Sequence, residues 1–96
     1  MAELPITSGA TERFSAFFTD GSGVPINLTG VTVTMESDGI AIANTVTVTS
    51  AAGGEVEVLI TDAATALITK LERVRFKRVS SGGDVTLDDW FWLAPQ

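Results

Sequence analysis

The sequence has no cysteine, no histidine and no tyrosine. Without cysteine there can be no disulfide and no thiolate metal site. Without histidine the usual general base near neutral pH is missing, and with it the common nucleophile–base pairs. Apolar runs are only a few residues long, too short to cross a membrane as a helix. The opening Met1-Ala2-Glu3-Leu4-Pro5 lacks the basic stretch and apolar core of a secretory signal. These absences predict a chain made in the cytoplasm, with no catalytic residue, no metal and no cofactor.

What is present suits a sheet. The chain has 96 residues, the length of one domain. Thirteen threonines and ten valines favour the pleated backbone over the helix. Residues 1–11 carry no alternation and read as an extended N-terminal arm before a single domain over 12–96. From there the pattern is period two. Phe14, Ala16 and Phe18 share one face; Val31, Val33 and Met35 point inward against Thr32, Thr34 and Glu36. Val56, Val58 and Ile60 form a third inward set, and Val74 and Phe76 a fourth, opposed by Arg73, Arg75 and Lys77. Asp38-Gly39 predicts a type I′ hairpin leading into Ile40–Ala43. Thr61-Asp62-Ala63-Ala64 predicts a short helix over about residues 62–69, capped by Thr61 or Asp62. The alternation slips at Asp88-Asp89, where a bulge would change which face the last strand buries. Six to eight short antiparallel strands with one short helix predict an all-β, immunoglobulin-like two-sheet sandwich, with a small β-barrel as the alternative.

The net charge is −6, unevenly spread. Lys70, Arg73, Arg75, Lys77 and Arg78 crowd into one stretch of an otherwise acidic chain. Arg73, Arg75 and Lys77 share an outward face, either matched by acids such as Glu55 and Glu57 or turned toward a neighbouring subunit. The excess of negative charge works against nucleic-acid binding. Carboxylate pairs give no catalytic arrangement: Asp88 and Asp89 point to opposite faces, and Glu55 and Glu57 share a solvent face. Asp20-Gly21-Ser22-Gly23 lacks the later acidic ligands of a calcium loop, and Ser81-Gly82-Gly83-Asp84 has neither the lysine nor the helix of a phosphate loop. In Trp90-Phe91-Trp92-Leu93, alternation divides Trp90 and Trp92 from Phe91 and Leu93, leaving open which pair is outward. The expected partner-binding residues are therefore Leu4 and Ile6 of the arm, Arg73, Arg75 and Lys77, and Trp90 and Trp92.

Asp20-Gly21-Ser22-Gly23-Val24-Pro25-Ile26-Asn27-Leu28-Thr29-Gly30, set between strands, resembles the opening of small β-sandwich domains in tailed-phage structural proteins, including the N-terminal domain of phage baseplate upper proteins. Gly54-x-Val56-x-Val58, Thr61-x-x-x-Thr65-Ala66-Leu67 and a later Gly-containing hairpin follow in the same order. The chain departs from that pattern at Lys70-Leu71-Glu72-Arg73, where such domains carry Gly-x-Tyr. The resemblance covers about residues 12–93. It implies a virion building block with no catalytic residues, assembled in the host cytoplasm among other virion proteins and forming homo-oligomers there. The short length favours a capsid decoration or cement protein on the major capsid protein; a head–tail or baseplate adaptor is the alternative. A free immunoglobulin-like adhesion or carbohydrate-binding module is a third reading, and requires an exposed aromatic platform.

Overall fold

A computed structural model describes residues 3–96. Eight strands and one short helix follow in the order β1 (Glu3–Ile6), β2 (Glu12–Phe17), β3 (Thr32–Ser37), β4 (Thr45–Ser50), β5 (Glu55–Ile60), α1 (Asp62–Thr65), β6 (Glu72–Val79), β7 (Val85–Leu87) and β8 (Phe91–Pro95). They form two sheets. Sheet A runs β1-β8-β6-β3, with β7 also paired to β6, and sheet B runs β2-β5-β4. No ladder joins the sheets among the described residues, so the molecule is a sandwich and not a barrel.

The inward parities meet between the sheets. Val33, Met35, Val56, Val58, Ile60, Val74, Phe76 and Leu93 are buried, joined by Phe18, Leu28, Ile42 and Ile68 from the connections. Thr32 and Thr34 are exposed, Glu57 and Arg75 are partly exposed, and Val31 is only half-buried at its strand end. Phe76 anchors the aromatic part of the core, edge-on to Phe18 at 5.3 Å and stacked on Phe91 at 5.7 Å between ring centres.

The turn from Asp20 to Gly30 is built by its own polar atoms. The Asp20 carboxylate accepts the amides of Ser22 and Val24, at 2.8 and 3.0 Å, and the Asn27 side-chain oxygen accepts that of Thr29 at 2.9 Å. Gly30 has φ +73° and releases the chain into β3. Leu28, between these polar anchors, is driven into the core.

Four local expectations are corrected. First, part of the arm belongs to the sandwich. β1 pairs in parallel with β8, and Ile6 is 2% exposed in the core with Leu4 packed against it. Because the chain turns from β1 to the opposite sheet, no hairpin forces antiparallel pairing. Met1 and Ala2 of that arm lie outside the described residues. Second, Asp38-Gly39 makes no hairpin, and Ile40–Ala43 forms no strand. The segment crosses from sheet A to sheet B because Ile42 is buried between them, and the Asn44 amide donates to the carbonyls of Met35 and Ile42. Gly39 lacks the positive φ that a type I′ turn requires. Third, α1 ends at Thr65 and not near 69. Leu67 and Ile68 donate to carbonyls three residues back, a tightening that sends Ile68 into the core. Fourth, Thr61 holds the N-cap position without a side-chain cap bond.

Candidate functional site

β6 runs through the middle of sheet A, and period-two parity sends Arg73, Arg75 and Lys77 to the sheet's outer face. Antiparallel pairing with β3 sets Glu36 directly opposite Arg75, and the Arg75 Nε donates to Glu36 Oε1 at 2.8 Å. Arg73 forms a salt bridge with Asp38, just beyond the end of β3. The acids that balance the row are thus Glu36 and Asp38. Glu55 and Glu57, the candidates by sequence, lie on β5 in the other sheet, where Glu57 pairs with Arg13 at 3.3 Å. Lys77 has no salt bridge among the described residues.

The other side of β6 is bordered by β7 and β8, two pieces of one interrupted strand. Lys77 faces Leu87 and Val74 faces Phe91. Between these pairs Arg75 and Phe76 stand against Asp88, Asp89 and Trp90, so the bulge falls where the alternation slips. The extra residue resets the parity. Phe91 and Leu93 turn into the sandwich, with Leu93 fully buried, while Trp90 and Trp92 turn outward and remain half-exposed. Asp88 stays at the mouth of the sandwich, where both its oxygens accept from Arg78 at 2.9 and 3.0 Å.

On the outer face Trp90 meets the arginines. The guanidinium carbons of Arg73 and Arg75 lie 4.5 and 4.3 Å from its ring centre, within cation–π range. Trp92 sits across from Arg73 on β6 and from Glu3 on β1. The same face extends through Lys77 to Leu87 and Val85, which are 49% and 55% exposed. Five of the expected partner-binding residues therefore come together: Arg73, Arg75, Lys77, Trp90 and Trp92. Leu4 and Ile6 do not join them, being turned into the core from β1. Glu36, Asp38, Val85 and Leu87 were not anticipated. Parity marks Glu36 as outward, but only the strand order places it beside Arg75.

Among the described residues no group of three His, Cys, Asp or Glu side chains gathers into a metal site, and no helix is long and apolar enough to cross a membrane. No protein-family model, curated protein or solved structure matches the chain. The outer face of sheet A can act by shape, apolar contact and charge-assisted hydrogen bonding. Two tryptophan–arginine contacts at the centre of a partly apolar face form the residue combination most enriched at protein-binding hot spots.

Proposed function

We propose that this chain is a structural protein of a bacteriophage virion, a capsid decoration or cement protein that binds the shell through the outer face of sheet A. Its role is to stabilise the shell by protein–protein contact, in many copies and without catalysis, cofactor, nucleic acid or membrane. The observation that carries the reading is the Trp90 cluster. Arg73 and Arg75 are already held by Asp38 and Glu36, so the face is preorganised and pays little side-chain entropy on docking. Lys77, without a salt bridge among the described residues, and the exposed Leu87 and Val85 add a positive, apolar margin to an otherwise acidic body. The resemblance of residues 12–93 to tailed-phage sandwich domains supplies the virion context. A free carbohydrate-binding role is less well served, since two guanidinium groups occupy the Trp90 ring on which a sugar would stack.

Electron microscopy of intact particles containing the chain tests this directly. Density on the shell lattice, with sheet A facing the major capsid protein, is the expected result. Density confined to the neck or baseplate would replace decoration with an adaptor role, and absence from purified particles would overturn both. In a binding assay, Trp90→Ala combined with Lys77→Glu should lower occupancy of the shell at least tenfold while leaving the chain folded.

A further inference from the structure

Sheet A ends on β1 and β3 and along β7, which pairs only with β6, and sheet B ends on β2 and β4. An edge strand presents unpaired backbone donors and acceptors, and proteins usually guard it with charge, proline or irregularity. β1 carries Pro5 and Glu3, β2 carries Glu12 and Arg13, β3 carries Glu36, and β7 is only three residues long. On β4 the only such guard is an irregularity at its end, between Val48 and Ser50. Its sequence, Thr45-Val46-Thr47-Val48-Thr49-Ser50, has no charge and no proline, and consists almost wholly of residues that favour strands. Its first residues border an open groove of about 460 Å³ whose other wall is Thr32–Met35 of β3.

We propose that β4 is the contact through which two copies of this chain join, antiparallel, so that sheet B continues across a two-fold axis at Thr47. Three observations select a second copy as the occupant. Thr45-Val46-Thr47-Val48-Thr49 reads the same in both directions. Antiparallel partners share a face, so the axis must fall on a residue and not between two. With the axis on Thr47, threonine meets threonine on the outer face and Val46 meets Val48 on the groove side. The third observation is charge. Each copy carries −6, and β4 is a neutral strip along which two such bodies can approach without setting like charges opposite each other. The irregularity of β4 between Val48 and Ser50 confines the ladder to about this length. Each edge is consumed by its own copy, so association closes at two. The contact shares no residue with the outer face of sheet A, and its test is separate from that of the shell-binding role.

Sedimentation of the purified full chain should show twice the 10.1 kDa chain mass, returning toward single mass on dilution. Thr47 is exposed, so Thr47→Lys and Thr47→Glu should each keep the wild-type circular dichroism spectrum. Each variant alone should sediment at single mass, because like charges then meet across the axis. An equimolar mixture of the two should recover double mass. Wild type that stays single at every soluble concentration, or Thr47→Lys that stays double, overturns the proposal. Hydrogen exchange gives a reading without any variant: those amides of Thr45–Val48 that point away from β5 should exchange more slowly in concentrated than in dilute solution. Equal rates would also overturn it.

Discussion

At Gly54 the backbone has φ +65°, and a Cβ there would stand 2.5 Å from the Phe18 carbonyl oxygen and 2.9 Å from that of Ile26. Both neighbours are backbone and cannot swing aside. Gly54→Ala should therefore cost at least about 2 kcal/mol, from left-handed strain and from pushing the end of β2 off the β4–β5 turn. Urea unfolding of the purified variant measures it. Thr65 is fully buried, and its hydroxyl accepts the Gly9 amide at 3.0 Å and lies 2.7 Å from the Ala10 carbonyl oxygen. Thr65→Val keeps the shape and strands both backbone groups, so a loss of about 1–3 kcal/mol is expected in the same measurement. Arg13→Ala is the contrasting case. Its pair with Glu57 is exposed on both sides, and removing it should shift stability by less than about 0.5 kcal/mol.

At the scale of elements, the bulge between β7 and β8 absorbs the one residue by which the alternation slips before Trp90. Asp89 is exposed and is one of the three residues set against two on β6. Deleting it would remove the bulge, setting Asp88 and Trp90 directly opposite Phe76 and Arg75, with Trp90 and Trp92 still outward and Phe91 and Leu93 still inward. The deletion variant should keep cooperative thermal unfolding, and Asp89→Ala, which preserves chain length, should melt close to wild type; loss of the cooperative transition on deletion would show that the bulge itself is needed by the fold. Its neighbour behaves differently. Asp88 holds Arg78 at a partly buried site, with the guanidinium 5.2 Å from the Phe18 ring centre. Asp88→Ala leaves that cation short of a partner and should cost about 2 kcal/mol, read as a lower urea midpoint with unchanged slope.

For the molecule as a whole, the N-terminal segment is structural. Ile6 lies in the core, β1 extends sheet A beyond β8, and Ser8 and Gly9 hydrogen-bond to Thr65 beside α1. Sequence alone, lacking parity in residues 1–11, points to an extended arm outside the domain over 12–96. The structure reverses that expectation. Deleting residues 2–9 should destabilise the chain by more than the roughly 2–5 kcal/mol lost when a buried isoleucine becomes alanine. A truncated chain with the wild-type melting temperature would show that β1 adds nothing to the core.

The strands β2, β3, β5 and β6 were legible because a half-buried strand writes its two faces into alternate residues, and valine, phenylalanine and threonine at those positions leave one consistent reading. The break in that rhythm at Asp88-Asp89 marked the bulge for the same reason. The arginine row and both tryptophans could be assigned to strands, but their meeting could not. That meeting depends on which strands are neighbours, and neighbours in a sandwich are set by crossings that bury Ile42 and Ile68 between the sheets. Asp38-Gly39 has the chemistry of a hairpin, yet burial of Ile42 outweighs it. Four-residue β1 is too short to display a period, so only its pairing with β8 places Ile6 in the core. Local alternation, a property of each backbone segment by itself, determined the strands and their inward faces. The partners of those faces were decided by how long-range burial closes the two sheets over one core.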